Sequence, residues 1–460
     1  MRNRSVSLSA AVVFVLALAD TGTGALGPVY GGRVSVALAE LPARFEPTAA
    51  QGAGHRLIAA LVHERLIDLG DLTPKPALAQ SWKAAASGRE WTLRLRAGAV
   101  FHDGTAIGSA DAIRSLRRFL RSPSTVAGGL ASRLEGGAAY RKGTTDDLAG
   151  LAAGDPLTVI LRLREPSVAT LSYLAAPGAA ITSARGAGAG PFVPTTGSPI
   201  HGRAAFVPFA GHVRGRPFLD GLTLRAADKA RDADGPADVT PAVGPGPLVA
   251  SLLLVLEPEH PAFARVESRR DVAAAVDRDD LVRNFLSGGA PTRSPIPPLL
   301  LPALPEAGPA ARRRPVAGSI VLAVSSDVPA VISQRVVAYL GAAGLQAAAA
   351  EATPDTVWTI PAGARLVAWT PEVPDPLLAL EELSGLVGPA GREALARAGL
   401  ESDADRREAL LHKAEAALRS QATVVPLAAL PLGYRSRPGV HGISVDGGGR
   451  IRLEDAWVEP

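Results

Sequence analysis

From Trp91 to Arg96, apolar residues alternate with polar ones at period two, which predicts a strand with one face buried and one wet. Ser87-Gly88 supplies the turn before it. Asp103-Gly104 makes a tight turn after it, since glycine tolerates a positive φ and aspartate bonds its own downstream backbone. A second short strand is expected to end at that turn. Period then changes to that of a helix: Ile113, Leu116 and Leu120 fall on one face, with Ser109 expected as N-cap and Asp111 placing negative charge in the first turn. Leu157–Leu163 alternates again and predicts another strand.

The second half repeats these signals as an α/β unit. Leu281, Val282, Phe285 and Leu286 share an apolar helical face that runs to a C-cap at Gly288-Gly289. A proline-rich stretch from Pro291 to Pro315 follows, too long for an ordinary loop inside a compact domain and expected on the surface. Ile320–Val324 reads as a strand, Val331 to Leu340 as a helix and Gly344 as the turn that ends it. Arg406–Leu418 reads as an amphipathic helix through Leu410, Leu411, Ala414 and Leu418.

A chain of 460 residues, 47% hydrophobic and 20% charged, has room for two or three domain-sized units with large cores. Its formal charge is only +4, and the longest basic run is Arg312-Arg313-Arg314, which reads as a solvated linker; nucleic-acid binding would want a basic patch interleaved with aromatics. Arg2 and Arg4 precede an apolar run from Leu8 to Ala19, of signal-peptide length, with Ala17-Leu18-Ala19 as a small-x-small cleavage site; an uncleaved anchor is the competing reading. There is no cysteine, so disulfides, thiolate metal sites and a cysteine nucleophile are excluded.

The order of these elements carries a resemblance. Leu78-Ala79, Trp82, Trp91-Thr92, Leu95-Arg96, Phe101 to Gly104 and Asp111 match the "L-A-x-x-W", "W/Y-T-x-x-L-R", "F-H/S-D-G-x-P" and "A-x-D-V" pattern of the extracellular solute-binding family 5, the dipeptide- and oligopeptide-binding receptors of bacterial ABC importers. Val62 to Leu66 resembles that family's "V-Y/F-E-x-L" helix, and Gly188 to Phe192 its "G-T-G-P-Y/F" turn. Gly215 to Asp220 with Leu222 to Arg225 resembles "G-x-P-x-L-D-x-I-x-F/L-R", Arg269 to Arg278 resembles the "R-x-A-L-x-x-A-I-D-R" helix, which implies one helix continuing through the apolar face to Gly288-Gly289, and Val424 to Leu427 resembles the "x-I-P-L" strand.

The resemblance implies an α/β chain of two-lobed periplasmic-binding-protein architecture, class II type, with a hinge between the lobes and an extra subdomain in the N-terminal lobe. Expected boundaries are a signal peptide at 1–19, the N-terminal lobe with its subdomain at 30–245, the C-terminal lobe at 250–428 and a return to the first lobe at 429–460. It further implies capture of peptides between the lobes, a permease of the inner membrane as partner, a monomeric periplasmic protein, and neither enzymatic activity nor cofactor. The missing cysteine removes the lipid anchor used by many relatives.

Within Ala368 to Pro376, the family's "W-x-x-D" implies an aromatic wall and a carboxylate for the ligand's α-ammonium. Here Trp369 is present and Glu372 stands where the aspartate would be, keeping the charge but adding a methylene. The alternatives are a solvated loop carboxylate and a plain core tryptophan. Asp375 is expected to cap the next helix. The eight histidines show no metal-ligand spacing beyond a loose His55 and His63. His102-Asp103 with a distant serine would suggest hydrolysis, but the turn already accounts for Asp103 and there is no G-x-S-x-G elbow. The stretch 226–250 is short against the family pattern. That shortening points either to a narrowed cleft or to a degenerate paralogue serving as a sensory or interaction module, and a non-peptide ligand is the other alternative.

Overall fold

The computed structural model describes residues 27–49, 52–226, 235–242, 246–303 and 314–460. The leader expected at 1–19 and Arg312-Arg313 of the basic run lie outside the described residues. No helix among those described is long and apolar enough to cross a membrane.

Two six-stranded sheets organise the molecule. The first runs, in spatial order, Gly433–Ser436, Val239–Ala242, Arg33–Leu38, Gly221–Ala226, Arg203–Pro208 and Phe192–Pro194. Arg33–Leu38 pairs parallel to Gly221–Ala226, and its Val34, Val36 and Leu38 pack with Leu57, Ile58 and Leu61 of the helix Ala53–Val62. That helix stops at Val62, so the expected helical run through Leu66 is corrected. His63 leaves it with an extended backbone, and Glu64 bridges to Ile181 instead. Glycine is required where this corner meets the 188–190 turn. A Cβ on Gly188 would lie 1.9 Å from the Val62 carbonyl oxygen, and one on Gly190 2.5 Å from that of Leu61.

An insertion in this half forms an antiparallel sheet ordered Ala79–Ala84, Glu90–Leu95, Thr158–Arg162 and Leu151–Asp155, covered by the helices Ser109–Leu120 and Thr125–Arg133. The Trp91 alternation resolves as expected, with Leu93 and Leu95 buried. The second short strand is only a single bridge, Val100 to Ala106. Ser109 is not the N-cap: Gly108 holds that position, its N–H donating to Asp111 at 3.0 Å, while the Ser109 hydroxyl donates to the Asp155 carbonyl at 2.7 Å.

The second large sheet runs Ala290–Pro291, Val424–Pro431, Leu248–Leu256, Ala364–Trp369, Gly318–Ser325 and Leu345–Ala352. Leu248–Leu256 is buried on both faces, and period two divides it between two cores. Leu252, Leu254 and Leu256 pack against Phe263, Val272, Ile332 and Leu340. Leu253 and Val255 join a core continuous with Leu377, Leu380 and Leu411 and with Leu130 and Tyr173 of the insertion. The single helix expected from Arg269 onward is two, Val266–Ala275 and Arg278–Phe285, because Asp277 turns extended and accepts from the Asp280 N–H, starting a new helix.

The chain crosses between the large sheets twice. It passes from Ala242 to Leu248 on the way out, and only Leu432 separates Pro431 from Gly433 on the way back.

Candidate ligand-binding cleft

Four segments far apart in sequence converge between the two sheets: the first turn of the helix Ala53–Val62, the loop after the strand Ala364–Trp369, the turn Asp446–Arg450, and Ser124 at the head of the helix Thr125–Arg133. Arg56, Ala60, Pro177, Glu372, Asp446 and Arg450 are among the residues lining a cavity of about 40 Å³. That is space for a few waters, well short of the roughly 300 Å³ at which ligand pockets begin. The lobes are therefore closed upon each other. Gly448 sits under Pro374, whose Cγ would be 3.6 Å from an added Cβ.

Glu372 keeps some solvent contact yet is surrounded by protein. The Ser124 hydroxyl donates to its carboxyl at 2.8 Å, joining the insertion to the second large sheet, and the same Ser124 oxygen accepts from the Ala127 N–H and so caps its own helix. The Glu372 N–H donates to Glu382 at 2.8 Å. Burial raises the Glu372 carboxyl to about 7 against the pull of Ser124 and Arg56. It drives Glu382 well above the carboxylate range too, with Glu372 adding to the push. Burial also lowers Arg56, which Glu382, Glu372, Asp446 and Asp327 draw back upward.

Trp369 is partly buried against the shared core, and its side chain hydrogen-bonds Glu382. Asp375 caps the helix Pro376–Glu382, accepting from the Leu377 and Leu378 N–H groups, and also takes the Ser172 hydroxyl at 2.6 Å. Thus Glu372 lies at the cleft and Trp369 is tied to it through Glu382. Sequence reasoning missed Arg56, Ser124 and Glu382.

A second acidic group lies outside that cavity, near Asp355 and Asp327. Burial, then Asp355 and Asp327, raise Glu40 to about 7. His55, lowered by burial, stands 3.5 Å from Asp355. Among the described residues no group of three or more His, Asp or Glu is arranged to hold a metal.

Beneath the cleft, an ion network ties the C-terminal segment to the rest of its lobe. Glu64, 3% exposed, takes His212 at 3.1 Å and Arg214 at 3.2 Å, while Asp68 faces Arg65, Arg214 and Arg452. Burial would raise Glu64, but Arg214 and His212 outweigh it and hold the group at about 2.

Residues 73–235 match the family model "Bacterial extracellular solute-binding proteins, family 5 Middle". That stretch is similar to the middle part of family 5 solute-binding proteins. Solved structures agree with this chain in fold. The Escherichia coli murein tripeptide binding protein MppA aligns at 18% identity and a TM-score of 0.81, over 93% of this chain and 98% of its own. Haemophilus influenzae OppA, in complex with RPPGFSPFR, aligns at 16% and 0.77 over 93% and 98%. AgaA from A. tumefaciens R10, in complex with agropinic acid, aligns at 19% and 0.76 over 93% and 99%. No curated protein matches the chain.

The two-lobed α/β architecture expected from the sequence is the one observed.

Proposed function

We propose that this protein is the substrate-binding receptor of an ABC importer, closing its two lobes on a peptide and presenting the closed form to a permease of the inner membrane. The observation that carries the reading is the cleft itself. Charged groups from both sheets converge on a space too small for any peptide, so a ligand enters only with the lobes apart and is enclosed when they return. MppA and OppA, which share the fold, are by their descriptions a murein-tripeptide binder and a partner of a nine-residue peptide. Export through a cleavable leader to the periplasm, monomeric state and a role in binding without catalysis belong to the same proposal.

In this reading Glu372 receives the ligand's α-ammonium once Ser124 has moved away, and Trp369 forms a wall beside it. A cation arriving there replaces the attraction of Arg56 and returns Glu372 to its ionised form. Thermal unfolding against di- to pentapeptides tests the function, because a ligand at a hundred times its dissociation constant adds about 2.7 kcal/mol of stability. Free-amine peptides should raise the midpoint, and Glu372→Gln should weaken them but not their acetylated forms. Equal weakening of both removes Glu372 from that role. No response to any peptide, with a response to a sugar or opine-like acid, moves the function to a non-peptide ligand of the kind AgaA carries.

A further inference from the structure

A second hollow lies where the insertion meets the second large sheet's helices. It measures about 680 Å³, within the range of small-molecule sites, and six charged residues line it: Arg133, Arg141, Arg164 and Arg392 against Glu165 and Glu381. The helix Pro376–Glu382 serves both this hollow and the cleft, since Glu382 bonds Glu372 while its neighbour Glu381 lines the hollow.

The charges in the hollow do not cancel. Glu381 is consumed by Arg133 at 2.5 Å and by the Tyr173 hydroxyl, so this pair is closed. Arg141 spends three donor contacts on the carbonyls of Leu120, Ser122 and Ser124, at 2.7, 2.7 and 3.1 Å, and meets no carboxylate among the described residues. Its Nε would lie 3.5 Å from a Cβ on Gly128, so the absence of a side chain there leaves the guanidinium edge uncovered along the helix. Arg392 donates to the Val387 carbonyl and likewise has no acidic partner among the described residues. The Arg164 side chain is exposed and has no hydrogen bond or ion pair among the described residues. Three guanidinium groups therefore face one remaining carboxylate, that of Glu165. Guanidinium groups present paired donors that match carboxylate oxygens.

We propose that this hollow binds a small organic anion carrying two or more carboxylates, held between Arg141 and Arg164 of the insertion and Arg392 of the second lobe. Such an anion makes its contacts only while these elements stand together as they do here. It therefore favours the closed arrangement and acts on the cleft without entering it. The site stands whether or not the cleft takes peptides, because none of the three arginines lines the cleft cavity; Arg141 reaches only the backbone carbonyl of Ser124 at its margin.

Citrate is the probe. Calorimetric titration into the purified protein, with sodium chloride matched in ionic strength as control, should show saturable binding. The double variant Arg164→Gln with Arg392→Gln should weaken it at least tenfold. Glu165→Gln, which removes the opposing charge, should tighten it several-fold. Small-angle scattering should show the population shifting to the compact form as citrate is added. Citrate heats no larger than those of chloride, or identical citrate affinity in the double variant and in Glu165→Gln, would overturn the site. Because Arg164 is exposed and Glu165 sits on the surface, the single variants Arg164→Gln and Glu165→Gln carry the test even where the double variant folds poorly. Saturable binding without compaction refutes the coupling to closure.

Discussion

Changing Glu372 to glutamine should make the protein more stable at pH 8 and leave it nearly unchanged at pH 4. The carboxyl is raised from its ordinary 4.5 to about 7 in the closed form, chiefly by burial. Each tenfold change in proton affinity is worth about 1.4 kcal/mol, so holding this group ionised at pH 8 costs up to about 3 kcal/mol relative to the unfolded chain. Residual solvent contact and adjustment of the lobes reduce that to about 1–2 kcal/mol. The sign follows from the direction. A carboxyl whose folded value is raised costs nothing below 4.5, where both states are protonated, and costs progressively more as pH climbs to about 7, beyond which the penalty is complete. Glutamine keeps an oxygen for the Ser124 hydroxyl but never ionises, and it also relieves the push on Glu382. Thermal unfolding of the two ligand-free proteins at pH 4 and pH 8 measures the difference directly. A variant less stable than the parent at pH 8, or a gap that is the same at both pH values, would refute the electrostatic account of the cleft.

Two further outcomes follow from the packing. Glu64→Gln should destabilise by about 3 kcal/mol at neutral pH, since it strips the buried His212 and the part-exposed Arg214 of their carboxylate; in the parent this contribution is present above 4.5 and is lost as pH falls toward about 2, which acid titration followed by circular dichroism will show. Gly188→Ala should cost about 1–3 kcal/mol in urea unfolding, because its Cβ would meet backbone and not a side chain that can move aside.

Much of the fold was legible because half-buried strands write their burial into alternate residues. Glu90–Leu95 and Thr158–Arg162 are such strands. Leu248–Leu256 was harder. Buried on both sides, it shows an apolar run with no alternation, and only the structure shows that its even and odd residues serve different cores. The break at Asp277 did leave a local sign, an aspartate followed by Asp279 and Asp280 in a first turn, but the apolar face continues past it and masks it. The cleft was legible only at Glu372 and Trp369, where a motif marks them. Arg56, Ser124 and Glu382 carry no comparable mark, since their meaning comes from three segments meeting in space. The loss of alternation that hides a core strand and the lack of spacing that hides a site have one origin, namely that both depend on long-range neighbours.

The return crossing at Leu432 sets what kind of motion the cleft can have. One residue joins an interior strand of one sheet to an edge strand of the other, so the lobes share a fixed fulcrum and cannot slide apart there. Movement is confined to rotation, and displacement grows with distance from that fulcrum. A few degrees at Leu432 scarcely disturb Gly449, which packs against its side chain, while the same rotation carries groups farther along the lever arm through a proportionately longer arc.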